Sequence, residues 1–348
     1  MADEPLASFI VIGENIHATR IVSAKSPRLV SEAEGGPALR YVSAGGEERR
    51  IAIPAAARAG QDYREGRIKH VKIAIQAAMS EAAADREEGW EYLRHLVHRQ
   101  EVAGAAFLDL NVDEISLKLA DQKAAMAWLV RAVQQMTRLP LAIDSSNIEV
   151  IRAGLEACDP AAARPLLNSA SLERIEALDL ARQHRGQVVV TAAGERGMPA
   201  DATARLANAS RMVEAALAKG LALGDLYVDP LIFPISVDKD YGRHSLDAIS
   251  GLRDAFGPAI HITGGMSNVS FGIPGRKLIN DVFLILAMAA GADSGIIDPV
   301  TSRPDDIRLI DRSSRAWQLA EDVLLGRDEH CRLYLRAWRR GELKSGPS

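Results

Sequence analysis

The sequence predicts an α/β protein: a (β/α)8 TIM barrel with an inserted hairpin-bearing loop after the first strand and a helix at the C-terminus. Three observations carry that expectation. Short apolar runs alternate with stretches of helical periodicity, and there are eight such runs. Alternation of this kind specifies a parallel sheet covered by helices, and eight strands close it. Five of the eight runs also carry a carboxylate at or next to their carboxyl end, at Glu14, Asp109, Asp144, Asp229 and Asp298, where such barrels keep their active sites. An open, doubly wound sheet is the alternative, but no Gly-x-Gly-x-x-Gly follows the first run, which argues against a dinucleotide fold.

Ser8 to Gly13 is the first buried strand, followed by Glu14-Asn15-Ile16-His17. Arg20 to about Arg67 breaks the rhythm, being polar and rich in Gly, Ala and Arg. Within it, Leu39–Ser43 and Arg49–Ile53 flank Ala44-Gly45-Gly46-Glu47, the pattern of a β-hairpin. Long insertions in compact domains are functional lids or disordered, and the lid is the favoured reading. Periodicity resumes with helices over Ile68–Ala83 and Asp85–Ala103, the second carrying Trp90, Leu93, Val97 and Val102 and stopping at Gly104. Strands are then expected at Ala105–Asn111, Pro140–Asp144, Pro165–Asn168, Gln187–Thr191, Asp225–Asp229, Ala259–Thr263 and Ser294–Asp298. The helices between them fall at Leu117–Met136, Asn147–Cys158, Ser171–Gln183, Asp201–Lys219, His244–Phe256 and Arg276–Ala290, and Asp305–Leu325 closes the barrel. The barrel thus spans residues 1–325, with the insertion at about 20–67, and 326–348 form a tail. In that tail Arg332, Arg336, Arg339, Arg340 and Lys344, with Leu333, Leu335 and Trp338, predict a basic amphipathic helix packed on the barrel or on a partner.

Composition narrows the function classes. Apolar content of 47% and charged content of 25% suit a globular enzyme with a large core. A net charge of -4 gives no reason to expect nucleic acid as a partner. Cys158 and Cys331 are too few for a disulfide framework and lack metal-site spacing, so they read as plain thiols of a reducing cytosol. Met1–Ser8 has no basic or apolar leader pattern, and the run Val282–Gly291 is too short to span a membrane and reads as a buried helix. A cytoplasmic location follows as the expectation.

The strand ends gather Glu14, Asn15 and His17, then Asp109 and Asn111, Asp144, Asn168, Asp229, Ser267 and Asn268, and Asp298. Each has a bland alternative, since Asp and Asn after strands cap helices and make turns. Carboxylates with amides and few cations suit a neutral ligand rich in N–H donors, not a phosphate. Asp and Glu also ligate Mg²⁺, but no His pair has ligand spacing; His95 and His98 read as solvated positions on a surface helix, and no metal is expected. A pterin, whose aminopyrimidine edge offers donors and acceptors together, matches Asp and Asn side chains in pairs.

The motifs in order are Gly13-Glu14-Asn15-Ile16, Leu108-Asp109-Leu110-Asn111-Val112, Ile143-Asp144-Ser145-Ser146-Asn147, Leu167-Asn168-Ser169, Asp225 to Ile232, and Met266-Ser267-Asn268-Val269-Ser270-Phe271-Gly272. With these the chain resembles the pterin-binding (β/α)8 methyltransferases. That family includes the methyltetrahydrofolate:corrinoid/iron–sulfur protein methyltransferases and the folate domain of cobalamin-dependent methionine synthase, with dihydropteroate synthase more distant. The resemblance covers about residues 8–325 apart from the insertion.

The resemblance implies that Asp144, Asn168 and Asp229 hydrogen-bond the pterin ring, with Asp109 completing the network and Asn111 and Glu14 beside it. It implies that Asn268, with Ser267 next to it, approaches N5 of the folate. Asn268 and Asp109 are therefore the expected catalytic residues. A tertiary amine is a poor leaving group, so stabilising N5 as its bond to methyl breaks is what would accelerate transfer. Tetrahydrofolate or its 5-methyl form is the implied small molecule. The other implied partner is cobalamin on a separate corrinoid protein, because no Asp-x-His-x-x-Gly motif occurs and Asp328-Glu329-His330 lacks the glycine. The family also implies a homodimer. Departures lie around the mouth: Asn15 replaces the usual Arg, His17 follows, the insertion is extra, and Thr191-Ala192-Ala193-Gly194 lacks a Met-Asn pair. A catalytically inactive folate binder stays open as an alternative. A dihydropteroate synthase-like enzyme is disfavoured, because Ser267-Asn268-Val269 stands where that enzyme has a Ser-Arg-Lys type motif.

Overall fold

The protein is described by a computed structural model covering residues 9–32, 36–195, 197–303, 306–307 and 309–343. The expectations about Met1–Ser8, Lys344 and the start of the closing helix at Asp305 lie outside these residues. The described residues form two compact units, 13–165, and 9–12 with 166–343.

In the Gly13–Pro165 unit, β1 (Ile10–His17) leads into the insertion, which is an ordered antiparallel sheet and not a structureless loop. Its strands are β3 (Leu29–Glu32), β4 (Gly36–Val42) and β5 (Glu48–Ala52), with Tyr41 opposite Arg49, so the predicted hairpin is present. A separate pair, β2 (Val22–Ser23) and β6 (Arg67–Ile68), ties its ends together, with α1 (Ala55–Arg58) and α2 (Gln61–Arg64) between. Alternation places Leu39, Tyr41 and Ile51 on a buried face.

That face covers α4 (Ala83–Val102), and this corrects the surface reading of His95. Tyr41 meets Tyr92 edge-on at 4.8 Å and lies 5.0 Å from the His95 ring. Burial pushes His95 down to about 4, whereas His98 is exposed as expected. The helix α3 (His70–Ala78) is shorter than predicted and packs against α4 at Gly89, where a Cβ would come within 2.6 Å of the Ala74 carbonyl. β7 (Phe107–Asn111), α5 (Leu119–Gln134), β8 (Leu141–Asp144) and α6 (Ile148–Ala157) then follow the predicted rhythm, and Asn147 caps α6 by accepting from the Glu149 N–H.

The second unit continues with β9 (Leu166–Ala170), α7 (Ala177–Gln183), β10 (Gln187–Thr191), α8 (Ala202–Ala218), β11 (Leu226–Asp229) and α9 (Tyr241–Phe256). β12 (His261–Ile262), α10 (Arg276–Ala290) and β13 (Ser294–Ile297) complete the alternation. The parallel sheet runs β12-β11-β10-β9-β8-β7-β1-β13, the cyclic chain order of a (β/α)8 TIM barrel. Its last seam is in this unit, where the Ile296 N–H donates to the Gly264 carbonyl at 2.9 Å.

Two expectations here are corrected. The closing helix, predicted to be continuous up to Leu325, is interrupted at 309–314, and α11 runs over Arg315–Leu324. Asp311 takes the N–H and hydroxyl of Ser313 at 2.8 and 2.6 Å, making a turn, and Ser314 then caps the helix through the Trp317 N–H. The tail helix α12 (Arg332–Arg339) buries Tyr334 and Ala337, while Leu333 and Trp338 are exposed. The Tyr334 hydroxyl bonds the Pro274 and Gly275 carbonyls at 3.2 Å, which anchors α12 to the start of α10. Asp328, part of the cobalamin-motif near-match, is a structural cap that accepts the N–H groups of Leu333 and Tyr334. Cys158 and Cys331 are free thiols, and burial pushes Cys158 up to about 11. No helix among the described residues is long and apolar enough to cross a membrane.

Candidate functional site

In the Gly13–Pro165 unit the ends of β1, β7 and β8 bring His17, Asp109, Asn111 and Asp144 together. Asn111 and Asp144 are register partners on neighbouring parallel strands, so their side chains leave the sheet side by side. Asn111 Nδ2 donates to Asp144 Oδ2 at 2.8 Å, and Asn111 Oδ1 accepts the Asp113 N–H at 2.9 Å. The second bond fixes which end of the amide faces Asp144. Asp113 in turn accepts from Ser145 Oγ and from the Ser146 N–H, which ties the loop after β7 to the loop after β8.

Asp109, two residues before Asn111, is fully buried, and His17 Nε2 donates to its Oδ2 at 2.8 Å. Burial works against the His17 charge, but its bond to Asp109 and the charges of Asp109, Asp144 and Glu14 outweigh it and hold the imidazole up at about 9. Burial, then the Asp109 charge, push Asp144 up to about 7, while His17 and Asn111 pull it down. Glu14 forms an ion pair with Arg20 at 3.2 Å. Donor atoms of His17, Asp109 and Asp144 lie within 4.8 Å of one another, so a divalent-ion donor set exists that sequence spacing did not reveal. The His17–Asp109 hydrogen bond already satisfies two of its members without an ion.

The other unit carries Asn168, Asp229, Ser267 and Asn268. Thr191 and Asp229 are register partners on β10 and β11, and the Thr263 N–H continues the ladder to the Val228 carbonyl. Asp229 therefore lies in one row with two threonines, and the buried Thr263 hydroxyl has no hydrogen-bond partner among the described residues. Burial pushes Asp229 up to about 6, against the pull of the Leu231 N–H and of Arg205. A Cβ on Gly264 would come within 3.0 Å of Asp229 Oδ1, and one on Gly265 within 2.7 Å of Asn268 Nδ2. The Gly-Gly pair is thus what lets the backbone run beside both side chains.

Asn268 and Ser267 sit on a 3-10 turn, Met266–Ser270. Arg276 braces that turn, donating to Ser270 Oγ and to the Ser267 carbonyl, both at 2.9 Å, with its guanidinium 4.3 Å from the Phe271 ring centre. Asn168 ends the regular part of β9, where the pairing with β10 shifts after Val189. Asp298 takes the bland role, accepting the Val300 and Thr301 N–H groups in a turn.

Asp113, Thr263, Arg205 and the bracing role of Arg276 were not legible beforehand. For Asp113 a signal existed: an Asp two residues after a strand-end Asn is turn chemistry. His17 was legible as a polar residue at the end of the first strand, with Glu14 and Asn15, but its pairing with Asp109 was not.

The sequence profile described as pterin binding enzyme matches residues 82–298. The methylcorrinoid:tetrahydrofolate methyltransferase of Eubacterium limosum is 29% identical over 268 residues, 75% of this chain and 92% of that protein. The methionine synthase of Mycobacterium leprae (strain TN) is 28% identical over 242 residues, 64% of this chain but 19% of that longer protein. The crystal structure of dihydropteroate synthase from Stenotrophomonas maltophilia with active site-bound imidazole superposes with a TM-score of 0.50 at 19% identity, over 68% of this chain and 89% of that one, a likeness of fold. With the family profile covering more than half of its length, the chain belongs to the pterin binding enzyme family.

Proposed function

We propose that the protein moves a methyl group between N5 of tetrahydrofolate and the cobalt of a corrinoid carried by a separate protein, as a step of a demethylase system. The observation that carries this reading is the Eubacterium limosum relative, matched over 92% of its own length and named for that chemistry.

The donor set fits a pterin. Asp144, with one oxygen taken by the Asn111 amide, and Asp229, flanked by the Thr263 hydroxyl, are acceptors for ring N–H groups. Asn168 supplies an amide able to donate and accept together. Asn111 orients Asp144, Asp109 holds His17, and Glu14, paired with Arg20, contributes negative charge near His17. Asn268, with Ser267, places its amide at N5, donating as the N–CH₃ bond breaks or accepting as it forms. The corrinoid, when docked, supplies the cobalt that takes or gives the methyl group. The insertion, with the sheet β3-β4-β5, forms part of the carrier's docking surface or a lid. We place the protein in the cytoplasm as a homodimer, in line with its plain thiols and with the family resemblance.

The test mixes purified protein with either 5-methyltetrahydrofolate and cob(I)alamin or tetrahydrofolate and methylcobalamin, and follows the cobalt spectrum. Protein-dependent conversion in either pair is expected. No conversion in both pairs, with folate binding intact, would leave a non-catalytic folate binder as the better description.

A further inference from the structure

Arg205, on α8, has the largest fully buried side chain among the described residues. Its Nε donates to the Leu231 carbonyl at 3.3 Å, and its guanidinium carbon lies 4.8 Å from the Phe233 ring centre and 5.8 Å from that of Tyr241. A buried guanidinium is costly unless it is paired and hydrogen-bonded, and its two terminal nitrogens have no hydrogen-bond partner among the described residues. Leu231 is unusual in its own right, a leucine at φ 69°, in the left-handed region that side chains disfavour. Its N–H donates to Asp229 Oδ1 at 2.7 Å. One strained residue is therefore held on both sides, by Asp229 through its N–H and by Arg205 through its carbonyl.

We propose that Arg205 is a positioning residue for Asp229. By gripping the Leu231 carbonyl it keeps Leu231 left-handed, aims the Leu231 N–H at Asp229 Oδ1, and so fixes the carboxyl at the end of β11. The rings of Phe233 and Tyr241, which meet edge-on at 5.3 Å, keep the guanidinium in place. Among the described residues Arg205 is also the charged side chain that favours the ionised form of Asp229 against burial; burial lowers the pKa of Arg205 itself, while Tyr241, Asp201 and Asp229 favour its charge. The functional consequence rests on the reading of Asp229 as a pterin contact, whereas the positioning itself does not.

The experiment has two arms. In the first, the Asp229 carboxyl is titrated in ligand-free protein by NMR of ¹³Cγ-labelled aspartate, with Asp229→Asn identifying the signal. Arg205→Met is expected to raise the midpoint by about half a unit or more. In the second, binding of 5-methyltetrahydrofolate is expected to weaken on the order of tenfold in Arg205→Met. Adding Leu231→Gly should recover most of that loss, because glycine takes this conformation freely, while the midpoint stays raised because the charge is still missing. An unchanged midpoint in Arg205→Met, or no recovery of binding in the double variant, overturns the proposal. If Arg205→Met does not fold, Arg205→Lys keeps the charge and loses the planar grip. It should then hold the midpoint and still weaken binding, and unchanged binding overturns the proposal. If the wild type binds no folate, it is the folate reading that falls, and the positioning is decided by hydrogen exchange of the Leu231 N–H: faster exchange is expected in Arg205→Met, and unchanged exchange overturns the proposal.

Discussion

Asn111 donates to Asp144 from the neighbouring strand at 2.8 Å, and the Asp113 N–H holds the other end of the same amide. The amide cannot flip without losing both bonds, so Asp144 keeps a fixed donor on one oxygen. That donor favours the ionised form of a carboxyl that burial and Asp109 push up to about 7. Asn111→Ala should therefore move the Asp144 titration upward. Folate affinity measured from pH 5 to pH 9 should lose its low-pH arm at a higher pH than in wild type, with a loss of ~1–3 kcal/mol at pH 7. An unshifted pH profile would show that Asn111 acts on packing alone.

Asn268 sits beside a Gly-Gly turn that leaves no room for a Cβ next to its amide. If that amide acts at N5 as the bond breaks, its contribution appears in the transition state. Asn268→Ala should lower kcat by about 10²–10³, the usual effect of removing one such donor, with a much smaller change in Kd for methyltetrahydrofolate. A drop in affinity with kcat intact would instead make Asn268 a binding residue.

Asp229 stores a cost that can be read out by stability. Burial raises its pKa from 3.8 to about 6. A carboxyl raised in the folded state contributes stability that is fully present below its unfolded pKa and is lost as pH rises through the folded value. At pH 8 the folded protein therefore carries the penalty. Asp229→Asn removes it and keeps an oxygen for the Leu231 N–H. The variant should be more stable than wild type by ~1–3 kcal/mol at pH 8 and by little near pH 3.5, while losing methyl transfer. Thermal melts at the two pH values check this, and a gain that does not depend on pH would refute the linkage.

The barrel was legible because its signals are local and repeated. Strands such as Gln187–Thr191 and helices such as Arg276–Ala290 begin and end where the apolar pattern says they should. What was not legible depended on partners distant in sequence. His95 looked solvated because Tyr41, which covers it, comes from the insertion. The tail helix turns Tyr334 inward instead of Trp338 because the Pro274 and Gly275 carbonyls offer that hydroxyl its partners. Within the candidate site, strand-end Asp and Asn residues were visible as types. That Asn111 pairs with Asp144, and Asp109 with His17, required the register.

The His17–Asp109 pair is the most exacting of these contacts. Asp109 Oδ2 accepts from His17 Nε2 at 2.8 Å, and the Asp109 side chain is 1% exposed against 14% for His17. Deleting one partner of such a pair leaves a buried charge uncompensated, which typically costs ~3–5 kcal/mol, whereas removing both is far milder. His17→Asn should destabilise the fold strongly at pH 7, and adding Asp109→Asn should restore much of the loss. The wild-type pair also has a signed pH dependence. His17 is raised in the folded state to about 9, so its contribution is fully present below the unfolded pKa of 6.5 and fades as pH rises through 9. Denaturant unfolding from pH 6 to pH 10 should show that decline in wild type and a flatter curve in the His17→Asn/Asp109→Asn protein. Equal slopes in the two proteins would mean that His17 is neutral when folded, and that it orients Asp109 as a hydrogen-bond donor and not as a cation.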